Sequence, residues 1–246
     1  MLTPILALVL GVMAAATLAW QWGPPRYRWS LADVFAAFAL FVGLSGLCGS
    51  ALARLWSGSW EPQATELLPG LGGTAIASVL VSALILRRAR RGALGVRLAA
   101  GWAWGVSLAG IPAFLLVSAA WAGIVEWVGI PFESQHLLQV LGKAGAAEQV
   151  MALGYGVLAA PVVEELLFRG FLLPPVERRL GLVKTCIITG MLFGLAHMSD
   201  PLAVVPLTLL GIALSWLRLR SGSIWPGVVV HVGNNAVAMG VGLLVG

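Results

Sequence analysis

Long apolar runs, broken only by short polar segments, constrain this chain more than any other feature. The eight runs cover about residues 2–21, 31–53, 67–86, 102–125, 148–173, 183–198, 202–217 and 224–245. Most approach the length of roughly 20 residues that a helix needs to cross the hydrocarbon core of a bilayer. Inside lipid the backbone must satisfy its own hydrogen bonds, which favours helices. We therefore predict an all-α, polytopic integral membrane protein with about eight transmembrane helices.

Composition agrees with the membrane class and excludes several others. The 246 residues are 59% hydrophobic and only 10% charged. The net charge is +5, but the basic residues form short clusters between apolar runs, so the expected partner is the lipid bilayer and not nucleic acid. Cys48 and Cys186 lie within apolar runs and indicate neither a disulfide framework nor a metal site. With little polar sequence between runs, we expect one integral membrane domain over residues 1–246, with N-terminal spans in 1–100.

The positive charges predict an orientation. If the eight runs alternate across the bilayer, most Lys and Arg residues fall on one side, and only Arg54 and Lys143 fall opposite. The residues on the shared side are Arg26, Arg28, Arg87, Arg88, Arg90, Arg91, Arg97, Arg178, Arg179, Lys184, Arg218 and Arg220. Because cytoplasmic loops are enriched in Lys and Arg, this side is predicted to be cytoplasmic. We expect a multi-pass protein of the cell membrane with both termini outside.

The fifth run contains three ionisable side chains, Glu164, Glu165 and Arg169. A charge at the bilayer centre costs on the order of 3 kcal/mol or more, so such groups usually face a partner or a water-filled cavity. Glu165 and Arg169 are spaced i,i+4 and share a helix face. Glu164 points about 100° away and has no such partner on its own helix. We interpret Glu165–Arg169 as a structural pair and Glu164 as a free carboxylate suited to general-base work. The alternative is a helix end that has reached the lipid headgroups.

Polar residues in two later runs lie at a similar depth. His197 ends one motif in the sixth run, and His231 and Asn235 share a helix face in the eighth. A single histidine in a helix is more often a packing residue than a catalyst. Counted at 1.5 Å per residue from the nearest cytoplasmic charges, Glu164 and His197 lie roughly 20 Å deep and His231 roughly 16 Å. This agreement between three spans indicates a shared site.

Three motifs, each in its own apolar run and in this order, resemble a known signature. They are Glu164-Glu165-x-x-x-Arg169, Phe193-x-x-x-His197 and His231-x-x-x-Asn235. Together they resemble the CPBP family of CAAX proteases and bacteriocin-processing enzymes, also called the Abi family. Each motif alone is weak, and the order of all three makes the resemblance specific. It covers about residues 148–240, which would form the catalytic core.

The resemblance implies an intramembrane endopeptidase acting on a membrane-associated protein or peptide substrate. Glu164 would activate the attacking water and His197 would help to hold it. His231 and Asn235 would stabilise the oxyanion. Support of the site is implied for Glu165, Arg169 and Phe193. The substrate stays open between prenylated C-terminal peptides, peptide precursors and C-terminal sorting signals.

The resemblance leaves metal dependence open, because the family has been described both as metalloproteases and as metal-free glutamate enzymes. A zinc ion of the His₂Glu type would take Glu164, His197 and His231 as ligands. The chain has no His-Glu-x-x-His motif, which would place paired zinc ligands on one helix. We therefore expect no cofactor, with Zn²⁺ at these three residues as the alternative.

Other functions are also compatible with buried polar groups. One alternative is a proton-coupled transporter, in which buried Glu and His side chains relay protons. The other is a non-catalytic membrane scaffold. Transporters commonly show internal repeats, and none is visible here. The segment Gly43-Leu44-Ser45-Gly46 superficially resembles a rhomboid-type serine motif, but small residues in a span are more often packing residues. Asp33 and Asp200 lie near the ends of runs, which disfavours an aspartyl dyad.

Overall fold

All regular elements in the computed structural model are helical over the residues that it describes, 29–56, 62–89, 91–130 and 145–245. The helices are α1 (Leu31–Trp56), α2 (Pro62–Arg88), α3 (Arg91–Leu94), α4 (Gly101–Trp127), α5 (Ala146–Leu153), α6 (Ala160–Glu165), α7 (Leu173–Leu195), α8 (Val204–Ser221) and α9 (Trp225–Val245). A first π-helical segment, Gly154–Ala159, joins α5 to α6, and a second, Leu166–Leu172, joins α6 to α7. A 3₁₀ turn, Pro201–Ala203, precedes α8.

The predicted all-helical membrane class is confirmed. Five helical stretches in the described ranges are long and apolar enough to cross a membrane: Leu31–Leu55, Leu68–Arg87, Gly101–Trp127, Ala146–Leu195 and Pro201–Ser221. The predicted fifth run and most of the sixth, 183–198, fall within the fourth of these stretches. The first predicted run, 2–21, lies outside the described residues. The number of eight spans stays a prediction.

The path Ala146–Leu195 is too long for a single crossing, and Gly181 divides it. Its 50 residues would extend roughly 75 Å as one straight helix, against a hydrocarbon core of roughly 30 Å. Gly181 has φ 70° and ψ 177°, a conformation outside the helix that glycine adopts without the steric penalty of a Cβ. The chain therefore turns there, and the predicted fifth and sixth runs correspond to separate arms.

Helices α7 and α8 touch through their backbones at paired glycines. A Cβ on Gly190 would lie 2.7 Å from the Ile212 nitrogen, and one on Gly211 would lie 2.7 Å from Gly190 Cα. Small residues permit this close approach between membrane helices, where packing drives association. The contact places the Gly211 carbonyl where it accepts a hydrogen bond from Arg169 Nη2 at 3.2 Å. Close packing of α7 on α8 thus positions a backbone acceptor for the buried arginine.

The described basic segments meet at one end of the helices. Four hydrogen bonds join them: Ile224 N to Gly95 O at 3.0 Å, Arg97 Nε to Gly222 O at 3.0 Å, Arg218 Nη2 to Ala93 O at 3.2 Å and Arg178 Nη2 to Trp29 O at 2.7 Å. This end is called the basic end below. Its composition agrees with the predicted grouping of positive charges on one side, and its assignment to the cytoplasm stays a prediction.

Aromatic side chains connect the N-terminal helices with the buried part of the molecule. Trp29 stacks on Phe171 with 5.1 Å between ring centroids. Phe168 makes edge contacts with Phe38 of α1 at 5.0 Å and with Phe193 of α7 at 5.1 Å. Such pairs stabilise beyond the area that they bury. The second π segment is therefore held from both sides, by α1 and by α7.

We predict that Gly211→Ala destabilises the fold, because the new methyl group would overlap the Gly190 backbone. Overpacking of this kind typically costs about 1–3 kcal/mol. Gly105→Ala on α4 is the matched control, since nothing lies within 4 Å of a Cβ there. Thermal unfolding in detergent should show a lower midpoint for Gly211→Ala only. Equal midpoints for the two variants would contradict the proposed backbone contact.

Candidate active site

Both glutamates lie at the end of a short helix between two π-helical segments. Glu164 and Glu165 are the last residues of α6, and the second π segment begins at Leu166. π-Helical turns widen the backbone spiral and occur frequently at functional sites. Every residue of Leu166–Leu172 is buried, including Arg169. The charged Arg169 side chain therefore lies in the interior, where it needs hydrogen-bonding and charged partners.

Arg169 has three partners in the interior. Its Nη1 lies 2.8 Å from Glu165 Oε1, and both side chains are fully buried. Its Nη2 donates to the Gly211 carbonyl, and the guanidinium carbon lies 4.3 Å from the centre of the Phe193 ring. A carboxylate, a carbonyl and an aromatic face together compensate the desolvation of a buried guanidinium. The structure thus places the i,i+4 pair as the spacing predicts.

Glu164 faces two histidines from different helices. Its Oε2 lies 3.8 Å from His197 Nε2 and 3.6 Å from His231 Nε2. These separations exceed a direct hydrogen bond. Glu164 Oε2 is itself buried and has no hydrogen-bond partner in the structure. The structure therefore brings together three of the residues that the sequence selected.

Phe193 orients His197. The Phe193 carbonyl lies 2.9 Å from His197 Nδ1, and because a carbonyl oxygen only accepts, Nδ1 is the donor. In the neutral ring this leaves a lone pair on Nε2, the nitrogen that faces Glu164. The buried Phe193 ring also contacts the His197 ring at 5.0 Å and the His231 ring at 5.5 Å. One aromatic residue thereby fixes the positions of both imidazoles.

His231 lies between the two carboxylates. Its Nδ1 is 3.4 Å from Glu165 Oε1, and its Nε2 faces Glu164. Gly227, one turn earlier on α9, permits this approach, because a Cβ there would lie 2.7 Å from Glu165 Oε2. A bulkier residue at this position would push α9 away from α6.

Exposure divides the cluster into two sides. The Glu164 and His197 side chains are 25% and 34% exposed, whereas Glu165, Arg169 and His231 are at most 2% exposed. Glu164 and His197 therefore form the partly exposed side of the cluster, and the buried groups pack behind them.

Asn235 lies one helical turn beyond His231. Its Nδ2 donates a hydrogen bond of 2.9 Å to the Gly156 carbonyl in the first π segment. This bond uses one of the two amide protons and leaves the other available. The structure thus gives Asn235 a partner that the sequence analysis did not foresee. Its predicted role as an oxyanion donor stays a prediction.

Tyr155 and Ser78 extend the polar surroundings of the site, and the sequence analysis missed both. The Tyr155 hydroxyl lies 3.0 Å from Ser78 Oγ of α2, and the Glu164 carboxylate is near enough to act on it electrostatically. In a regular α-helix nine residues would place Tyr155 on the opposite face from Glu164. The π-helical turn between them changes that register. A periodicity argument therefore could not associate the two residues.

The zinc alternative can be compared with the geometry of the described residues. In the described ranges no group of three or more His, Cys, Asp or Glu side chains is arranged to hold a metal ion. The atoms of a tetrahedral zinc site lie about 2.0–2.2 Å from the ion, which places them about 3.4 Å apart. The two distances from Glu164 Oε2 to the histidines are slightly longer, at 3.6 and 3.8 Å. We therefore derive no catalytic step through a metal.

Comparison with known proteins agrees with the motifs. Residues 146–237 match a family model described as Type II CAAX prenyl endopeptidase Rce1-like. The matched segment contains all three motifs, and it confirms the resemblance to CAAX proteases. No curated protein and no solved structure matches the chain.

We predict that breaking the buried ion pair destabilises the protein. Glu165→Gln or Arg169→Ala leaves the other charge buried without its partner, which typically costs about 3–5 kcal/mol. Glu126→Gln, at an exposed position on α4, is the control. Thermal unfolding in detergent should show a lower midpoint for Glu165→Gln and Arg169→Ala than for Glu126→Gln.

The double variant Glu165→Leu/Arg169→Met provides a sharper test. Replacing a buried pair by apolar groups of similar volume is often neutral, so much of the stability should return. Loss of stability equal to the sum of the two single variants would contradict this description of the pair.

Proposed function

We propose that this protein is an intramembrane endopeptidase that hydrolyses a peptide bond by means of a glutamate-activated water. The observation on which the proposal rests is the gap between Glu164 Oε2 and the two imidazole Nε2 atoms. Glu164 Oε2 has no hydrogen-bond partner, and both nitrogens lie beyond hydrogen-bond distance of it, so a water beside these atoms could bond to Glu164 and to an imidazole. The match of residues 146–237 to an Rce1-like family model supports the endopeptidase activity.

Glu164 and His197 would hold the nucleophile. Both Glu164 Oε2 and His197 Nε2 are acceptors, so each can accept one proton of the same water at about 2.8 Å. The oxygen lone pair of that water is then free to attack the substrate carbonyl. Glu164 would accept the proton released on attack and later deliver it to the leaving amine, as a general base and then a general acid.

His231 and Asn235 would stabilise the negative charge that develops on the carbonyl oxygen. Donors fixed in a poorly solvated site stabilise such a charge more than the ground state. His231 is suited to this role because it is buried and is held between Phe193 and Glu165. Asn235 retains one amide proton beyond its bond to Gly156.

A C-terminal prenylated peptide is the substrate class to test first. The family model that matches residues 146–237 is described as a CAAX prenyl endopeptidase, and a C-terminal CAAX motif carries its prenyl group on the cysteine. Peptide precursors and sorting signals remain the other substrate classes compatible with a membrane endopeptidase. A proton-coupled transporter is the competing function, and it predicts proton flux without any peptide cleavage.

The site would operate in a protein of the cell membrane with eight transmembrane helices. The apolar runs and the charge asymmetry of the loops support this arrangement. The basic end would face the cytoplasm, where proteins that carry C-terminal lipids are made.

We predict that Glu164→Gln abolishes cleavage and leaves the fold intact. The general base contributes typically 10²–10⁴-fold to the rate, and an amide cannot replace it. The measurement is cleavage of a farnesylated CAAX peptide by purified protein in detergent, with thermal unfolding measured in parallel and Glu126→Gln as the control. The same peptide without its farnesyl group tests the substrate class. Near-normal turnover by Glu164→Gln would show that another group is the base.

We also predict that cleavage is insensitive to removal of divalent metals. The attack is assigned to Glu164 and His197 without a Lewis acid. Purified protein incubated with 1,10-phenanthroline and then desalted should keep its rate of peptide cleavage. Loss of activity that returns on addition of Zn²⁺ would favour the His₂Glu alternative instead.

A further inference from the structure

Two arginines at the basic end lie close together outside the candidate active site. Arg97 lies between α3 and α4, and Arg218 lies in the last turn of α8. The hydrogen bond from Ile224 N to Gly95 O joins the two loops, and each guanidinium packs on a glycine of the other loop. In the described ranges neither guanidinium forms an ion pair with a carboxylate, and their hydrogen-bond acceptors are the carbonyls of Gly222 and Ala93. Two like charges without a counter-ion are unfavourable unless an anion compensates them.

The backbone is shaped around these two side chains. Gly95 and Gly222 both have positive φ, 77° and 69°. A Cβ on Gly95 would lie 2.5 Å from Arg218 Cζ, and one on Gly222 would contact Arg97 Nη2. The Arg218 Nε is buried and has no hydrogen-bond partner in the structure. The loops therefore hold the two guanidinium groups in place, and some of the guanidinium N–H donors have no acceptor.

Nearby tryptophans indicate the level of these arginines relative to a bilayer. Trp102 follows Arg97 by five residues, and Trp216 precedes Arg218 by two. Their rings meet edge to face at 6.5 Å, and the two residues are 47% and 41% exposed. Tryptophan is enriched at the membrane–water interface, at the height of the headgroups. This predicts that the arginine pair lies at the height of the lipid phosphates.

We propose that Arg97 and Arg218 bind the phosphate group of an anionic phospholipid. Guanidinium groups bind phosphate through paired, charge-assisted hydrogen bonds, and two of them neutralise the anion. A phosphate here would accept hydrogen bonds from the terminal guanidinium nitrogens and remove the repulsion between the two side chains. The site is separate from Glu164 and its neighbours, and it does not depend on the proposed protease activity.

The test measures lipid binding by the full-length protein in nanodiscs. Thermal unfolding is compared in phosphatidylcholine alone and in phosphatidylcholine with 30% phosphatidylglycerol, and retained phosphatidylglycerol is counted by native mass spectrometry. We expect phosphatidylglycerol to raise the unfolding temperature. Arg97→Gln and Arg218→Gln should each lower the affinity for phosphatidylglycerol about tenfold, as expected for loss of one charge-assisted contact. Arg220→Gln, exposed at the same end, is the control of equal charge.

The outcomes separate the possible explanations. A variant that is less stable by the same amount in both lipid mixtures shows a structural role, which would overturn the proposal. Equal loss of lipid binding by Arg220→Gln would show general attraction to the surface and would also overturn it. A further measurement adds inorganic phosphate to the protein in pure phosphatidylcholine. A higher unfolding temperature there would show that the site also binds free phosphate. If Arg218→Gln does not fold, the exposed Arg97 still provides the test.

Discussion

The buried ion pair between Glu165 and Arg169 is the interaction on which the site depends. An unpaired charge at this depth would cost several kcal/mol, so the surrounding helices must supply partners. They do so from two directions, with the Gly211 carbonyl from α8 and the Phe193 ring from α7. Glu165 also lies within 3.4 Å of His231 on α9. One ion pair thereby sets the positions of three helices relative to α6.

This arrangement explains why two adjacent glutamates have different environments. Glu165 points into the interior and has a charged partner, whereas Glu164 points toward the more exposed side and faces two imidazole nitrogens at 3.6 and 3.8 Å. Helical geometry separates them by about 100°, so the same backbone segment provides a supporting group and a reactive one. The buried side can remain rigid while the exposed side exchanges water and substrate.

Part of this description could be predicted from the sequence. Apolar run length indicated most of the helices, since lipid leaves the backbone few alternatives. The i,i+4 spacing indicated the Glu165–Arg169 pair, because it depends only on local geometry. Long-range features could not be derived in this way. The turn at Gly181 and the contact between Gly190 and Gly211 depend on packing, and the π segments hid Tyr155 by changing the helical register.

The depth of the site in the membrane also depends on long-range packing. Counting residues from Arg178 placed Glu164 roughly 20 Å from the cytoplasmic charges. The Phe171 carbonyl accepts a hydrogen bond from the Trp29 indole, and the Trp29 carbonyl accepts one from Arg178, so Phe171 already lies near the basic end. Seven residues separate it from Glu164, or about 10 Å. The count assumed a straight helix perpendicular to the membrane, whereas Phe171, halfway between Glu164 and Arg178, already lies beside the basic end.

The central claim is that Glu164 and His197 act together on one water. A double-mutant cycle on kcat/KM tests it most directly, with Glu164→Gln, His197→Gln and the double variant assayed on one cleavable peptide. Two groups that hold the same water form a unit, so the double variant should lose little more than the worse single variant. Losses that multiply would show that the two residues act independently, and this would contradict the account.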